Sequence, residues 1–356
     1  MADETKGTVL VALGANLGVA LAKIVAGALT GSAALLSEAA HSVADTFNEV
    51  FLLLSLRKSE RPADRTHPFG YGKERFFWSL LAAIGIFLSG AGFSAYQGVK
   101  AVLDSGDAKQ PSGTEFLAIY AVLGLSLVLE GTSLRKAFVQ VRGEAEAAHR
   151  RLLTYVLRSP DPTVKTVASE DSVAVLGVFA ALLGTALHQV TGDEYWDGVA
   201  SLFIAVLLTY VAFALGRDTK ELLIGEAADP AVRVAAYQVL TEHEEIVAVK
   251  EMLTMQLGPN AVLVGARVQF ADDLTSQQVE TVCTEVETEM LERMPALTQV
   301  FVDPSRVSAE DRDRVHQAFT RTLDDLEDIE GPESTDWLRR PRTRPGQRLT
   351  ATSKPR

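Results

Sequence analysis

Four residues near the start of the chain have types and spacings that could do chemistry together. They are Glu38, His41, Asp45 and Asn48, separated by steps of three, four and three. On a helix of about 3.6 residues per turn those steps put all four on one face. Leu35, Ala39, Val43 and Val50 form the opposite, apolar face. A stripe of carboxylate, imidazole, carboxylate and amide is a poor surface for lipid and a good wall for a cation pathway. Imidazole with two or three carboxylates suits a divalent first-row ion such as Zn²⁺, Mn²⁺, Fe²⁺ or Co²⁺. A second acidic pair, Glu170 and Asp171, interrupts another apolar stretch.

Positioning such groups requires a membrane frame. The chain has 356 residues, 47% of them hydrophobic. Six stretches are close to the roughly 20 residues that an apolar helix needs to cross the hydrocarbon core. They are 9–29, 33–56, 76–103, 116–138, 164–187 and 196–215, with only Thr30-Gly31-Ser32 between the first two. The stripe lies in the second span and Glu170–Asp171 in the fifth. At about 1.5 Å of rise per residue, Asp45 is roughly 18 Å below the outer end of its span, and Asp171 roughly 10 Å above the inner end of its own. The sum is close to a core of about 30 Å, so the two groups share a level.

Basic residues orient the spans. Arg57, Lys58, Arg61, Arg65, Lys73 and Arg75 lie between spans two and three, and Arg142, Arg150, Arg151 and Arg158 between spans four and five, with Lys165 at the edge. Arg217 and Lys220 follow span six, whereas the loops on the other face hold just Lys109. Both termini are therefore expected in the cytoplasm, and the protein in the cell membrane. Residues 217–303 are soluble in character, with 16 acidic against 6 basic residues in a chain of net charge −12. The split between apolar spans and a soluble segment excludes a simple cytosolic enzyme, and the acidic balance argues against a nucleic-acid partner. Cys283 is the only cysteine, which excludes an intramolecular disulfide and a cysteine-based zinc finger. No HExxH pattern is present, so an intramembrane metalloenzyme is disfavoured.

The soluble segment reads as a helix over 231–242, strands over 246–257 and 261–270, a helix capped by Thr275 or Ser276, and a short run over 297–302. Gly258-Pro259-Asn260 supplies the turn between the strands. The order α-β-β-α-β suits a small α+β domain. Three segments follow: 1–216 in the membrane, 217–303 as the cytoplasmic domain, and 304–356 as a charged tail expected to be disordered after a short amphipathic piece. From Arg339 to the end there are seven basic residues and no acidic one. Glu130 in span four reads as an interhelical hydrogen-bonding group. Asn16 and Lys23 in span one are open, Lys23 being able to snorkel or to pair with an acidic neighbour.

Ser37-Glu38-Ala39-Ala40-His41-Ser42-Val43-Ala44-Asp45, Arg61-Pro62-Ala63, and His67-Pro68-Phe69-Gly70-Tyr71-Gly72-Lys73-Glu74-Arg75 together resemble the cation diffusion facilitator family. The resemblance runs over about residues 8–303. It implies a six-helix transmembrane bundle, usually homodimeric, with a metallochaperone-like, ferredoxin-type cytoplasmic domain. It implies divalent metal export, commonly in exchange for protons, with zinc the foremost cargo and no prosthetic group. His41 and Asp45 match the span-two motif and Asp171 the span-five aspartate. Val167 stands where the usual span-five histidine would be, and Glu170 is the candidate substitute. Glu38 and Asn48 are weaker candidates. The missing histidine also leaves open a membrane scaffold that senses metal without transporting it.

Overall fold

The computed structural model describes residues 2–104, 111–147, 151–158 and 162–330. Lys109, His149, Arg150 and the basic stretch from Arg339 onward lie outside the described residues. The chain divides into two compact units. The first holds the first eight α-helices with Thr254–Val264 and Pro295–Gln299. The second holds Asp229–Leu253, Gly265–Met294 and the chain from Val300, so the strands are shared between them.

The first unit begins with α1 (Ala2–Thr30) and α2 (Ala33–Ser59). Next come α3 (Glu74–Gly85), a π-helical turn (Ile86–Gly92) and α4 (Phe93–Leu103), which together make one continuous rod. Then follow α5 (Gly113–Ala147), the short α6 (Leu152–Arg158), α7 (Pro162–Thr191) and α8 (Tyr195–Ile224). Among the described residues four helices are long and apolar enough to cross a membrane: Glu74–Leu103, Gly113–Ala147, Ser169–Thr191 and Tyr195–Ile224. Asn16–Thr30 is a shorter apolar helix. At 27 residues α2 has the length but not the apolarity, because Glu38, Asp45 and Glu49 interrupt it. α8 continues beyond the span end expected at Leu215, since a 30-residue helix outreaches the hydrocarbon and carries Arg217, Asp218, Lys220 and Glu221 past it.

The α1–α2 hairpin turns at Gly31, whose φ of 73° favours a residue without Cβ. Ser32 then caps α2, its Oγ accepting from Leu35 N at 3.1 Å. Asp197, buried in the first turn of α8, accepts from Ser32 Oγ at 2.8 Å and from Ala34 N at 3.2 Å. A buried anion at a helix N-terminus satisfies amides that would otherwise have no partner and complements the helix dipole. α2 is thus fixed at its start before it reaches the stripe.

Leu35, Ile86, Ile119, Leu123, Val178, Ile204 and Leu208 fill the middle of the bundle. Large apolar side chains such as Leu125, Val128, Phe179, Leu183, Val206 and Phe213 face outward, the pattern of a surface made for lipid. Small residues let the rods approach closely. A Cβ on Gly198 of α8 would stand 2.9 Å from Val102 N and 3.0 Å from Gly98 O of α4.

The loop between α2 and α3 is organised by Asp64. Its carboxylate accepts from Thr66 N at 2.8 Å, His67 N at 2.7 Å and the Tyr71 hydroxyl at 2.7 Å. The Tyr71 hydrogen bond, with the backbone amides of His67 and Thr66, holds the exposed Asp64 carboxyl below the usual carboxylate range.

The second unit opens on α9 (Pro230–Glu242), started by the Asp229 side chain and ended at His243. β1 (Ile246–Gly258), β2 (Ala261–Phe270), α10 (Ser276–Arg293) and β3 (Leu297–Pro304) follow. The element order is α-β-β-α-β, and the sheet order is β1-β2-β3. β1 and β2 form a hairpin closed by Ala271 N donating to Glu245 O. Val262 N donates to Ala296 O and Ser305 N to Val268 O, so β2 and β3 run parallel with α10 as the crossover. Thr275 and Gln278 form a capping box at the start of α10.

The segment expected to be a tail is in part a helix. α11 (Ala309–Glu330) is 22 residues long. Its apolar face supplies the physical reason: Phe319 stacks on Tyr237 of α9 at 4.3 Å, and Leu326 is buried. A segment with that face gains enough burial to order despite its charge, so the expected short amphipathic piece is a 22-residue helix reaching Glu330.

Candidate metal centre

α2 packs against α1, α7 and α8, and its polar stripe points inward. Glu38, His41 and Asn48 are buried. His41 Nδ1 stands 3.4 Å from Asp45 Oδ1, an i,i+4 pair without hydrogen-bond geometry. Asn48 Nδ2 donates to Glu170 Oε2 at 2.5 Å, which ties the stripe to α7. Beside Glu170, Asp171 accepts from Ser133 Oγ of α5 at 3.2 Å. The structure thus pairs His41 with Asp45 on α2, ties Asn48 to Glu170 of α7, and ties Asp171 of α7 to Ser133 of α5.

Both ring nitrogens of His41, Asp45 Oδ1 and Glu170 Oε1 are buried without a hydrogen-bond partner. Buried polar atoms are normally satisfied, and each that is not costs roughly 1–3 kcal/mol. Unsatisfied nitrogen and oxygen donors on facing helices are what a cation-binding path requires. They are not drawn together into a cage: among the described residues no group of three or more His, Cys, Asp or Glu side chains stands in a metal-holding arrangement.

Glu38 has a different engagement. Its Oε2 accepts from Lys23 Nζ at 3.0 Å, and Lys23 also donates to Ser42 Oγ at 2.9 Å and to Glu130 Oε1 at 2.8 Å. Lys23 is fully buried, so it pairs rather than snorkels, and Glu130 is the interhelical partner its type suggested. Sequence reasoning passed over Glu49 and Ser133. Glu49 lies one turn beyond Asp45, and its Oε1 accepts from Asn16 Nδ2 at 2.5 Å. The signal was available: in a hairpin turning at Gly31, residues at similar distances from the turn come level, as Lys23 does with Glu38. Ser133 carried no such signal, because its role depends on how α5 rotates against α7. Val167 belongs to α7, and its side chain lies outside the described residues. In the second unit His243 Nε2 lies 3.0 Å from Glu289 Oε2, and Arg293 pairs with Glu242 at 2.6 Å and Glu289 at 2.5 Å.

Comparison with known proteins bears on the family of the chain. Residues 9–224 match the model of the cation efflux transmembrane domain. The chain is 34% identical over 248 residues to the mitochondrial proton-coupled zinc antiporter SLC30A9 of Mus musculus, a match covering 70% of this chain and 43% of the relative. It is 32% identical over 248 residues to metal tolerance protein C4 of Arabidopsis thaliana, covering 70% of this chain and 53% of the relative. With the manganese efflux system protein MneP of Bacillus subtilis it shares 23% identity over 299 residues, covering 82% and 93%. The match thus spans about half the length of the first two relatives. From the matched domain, and from a stripe and a facing acidic pair set in multi-pass membrane helices, the chain is a member of the cation efflux family.

Proposed function

We infer that this protein is a secondary active exporter of divalent metal cations, working by proton exchange, and not an enzyme. The observation that carries the reading is the set of buried, unpartnered donors on His41 and Asp45 of α2 and Glu170 of α7, two helices joined at this level by the Asn48–Glu170 hydrogen bond. His41 and Asp45 supply ligands from α2, and Glu170 and Asp171 from α7. Asn48 and Ser133 orient Glu170 and Asp171 and are not ligands themselves. The bond of Glu38 to Lys23 supports leaving it out of the proposed ligand set.

The ligands must be deprotonated to hold the ion, so arrival of metal releases protons and return of protons releases metal. One nitrogen among mostly oxygen donors suits zinc less exclusively than a two-imidazole site would, and it admits Mn²⁺, Fe²⁺ and Co²⁺. The names of the mouse and Bacillus relatives, one a zinc antiporter and the other a manganese efflux protein, are in keeping with that breadth.

In this reading six spans cross the bilayer: α1, α2, the α3–α4 rod, α5, α7 and α8. Basic residues of the α2–α3 and α5–α7 connections face the cytoplasm with both termini, and cargo leaves across the membrane bounding it. The functional unit is a homodimer. Proteoliposomes loaded with a metal-sensitive dye test the activity. Zn²⁺ uptake competed by Mn²⁺ and Co²⁺ is expected, and failure of any divalent ion to enter above protein-free vesicles overturns the reading.

A further inference from the structure

The transport site leaves unused a second group of ionisable residues: Lys23 of α1, Glu38 of α2 and Glu130 of α5. Lys23 Nζ sits among three oxygens, Glu38 Oε2 at 3.0 Å, Ser42 Oγ at 2.9 Å and Glu130 Oε1 at 2.8 Å. These three acceptors use all three ammonium protons. Lys23 and Glu38 are completely buried, and Glu130 is 18% exposed. Glu38 Oε1 and Glu130 Oε2 are buried and have no partner. On the α7 side the wall is Gly177, where a Cβ would collide with Glu38 Oε1.

We propose that this is a second intramembrane cation site, kept filled by the protein's own Lys23 ammonium. Two carboxylates, each with one oxygen to spare, and a hydroxyl form an oxygen-only donor set of the kind that Mn²⁺ accepts. One ammonium neutralises one of the two carboxylates, whereas a divalent ion would neutralise both. Lying one turn from His41 on α2, an open site here would give the path two ions in place of one. Lys23 therefore fixes how many ions the membrane domain holds. Removing it leaves two carboxylates buried without a cation, a costly state that an external ion relieves. This inference stands on the Lys23 geometry and not on the assignment of the α2–α7 site.

The test is Mn²⁺ bound per chain, measured by equilibrium dialysis of the full chain in detergent. Lys23→Ala is expected to bind one more Mn²⁺ than the wild type. Lys23→Ala/Glu38→Gln/Glu130→Gln is expected to return to the wild-type number. A folded Lys23→Ala protein that binds no additional Mn²⁺ overturns the proposal, as does an additional ion retained by the triple variant. Lys23→Ala is also purified with and without Mn²⁺ throughout. Recovery of folded protein only with Mn²⁺ supports the proposal, and failure to recover it even with Mn²⁺ overturns it. Loss of wild-type binding in Asp45→Ala reads the α2–α7 site separately, so either assignment can fail without the other.

Discussion

At the scale of single residues, the proposed ligands and the residues that hydrogen-bond to them should respond differently to substitution. Asp45→Ala and Asp171→Ala each remove an anionic donor that the remaining groups do not replace. Each is expected to abolish metal flux while leaving the protein inserted and monodisperse. Asn48→Ala and Ser133→Ala remove only the hydrogen bonds that aim Glu170 and Asp171. A loss of about ten- to a hundredfold in metal affinity is expected of such partners. Zn²⁺ titration of each variant checks this, and unchanged affinity would show that the two carboxylates need no orientation. Val167→His adds an imidazole one turn before Asp171. It should shift competitive uptake towards zinc over manganese, and an unchanged selectivity ratio would mean that position 167 does not reach the ion.

At the scale of elements, the α2–α3 loop and the α4–α8 contact give the clearest tests. Asp64 is held below its ordinary carboxylate range by Tyr71 and the amides of His67 and Thr66. A depressed carboxylate contributes its stabilisation above the unfolded-chain pKa of about 3.9, and loses it as pH falls through the folded value. The loop should therefore keep its amide-exchange protection down to and below the ordinary carboxylate range. In Asp64→Asn that protection should be reduced already at neutral pH. Gly198→Leu forces α8 away from α4, where backbone atoms stand within about a van der Waals radius sum of any added Cβ. Overpacking of that kind costs about 1–3 kcal/mol, read as a lower unfolding temperature in detergent.

Much at this scale was legible in the sequence because period and turn chemistry are local. The hairpin at Gly31, the Thr275 cap and the α-β-β-α-β order all follow from residues within a few positions of one another. Residues whose role depends on helix rotation were not legible. Ser133 is an ordinary membrane-helix serine until α5 turns it towards Asp171, and Asp197 is an ordinary helix-start carboxylate until it meets the N-terminus of α2. The π-helical turn at Ile86–Gly92 leaves no signature in an apolar run. α11 was underestimated because its strongly charged composition hides the Phe319 and Leu326 face that orders it.

For the whole molecule, that helix separates two truncations that composition alone would treat alike. Ending the chain after Glu330 removes residues 331–338 with the Arg-rich stretch and should leave stability and oligomer mass in detergent unchanged. Ending it after Pro304 also removes α11 and uncovers Tyr237. It should lower the unfolding temperature, while the proposed dimer, if built by the rest of the chain, keeps its mass. A longer truncation as stable as the shorter one would contradict a packing role for α11.

The central claim is that metal and protons exchange through the α2–α7 centre. The most direct measurement follows both in the same proteoliposomes, with an internal metal dye and an internal pH dye, under an imposed pH gradient. The account predicts that Zn²⁺ entry drives proton exit, that collapsing the gradient slows metal entry, and that both signals vanish together in Asp45→Ala. Zn²⁺ entry with no accompanying proton movement, or entry preserved in Asp45→Ala, would contradict it.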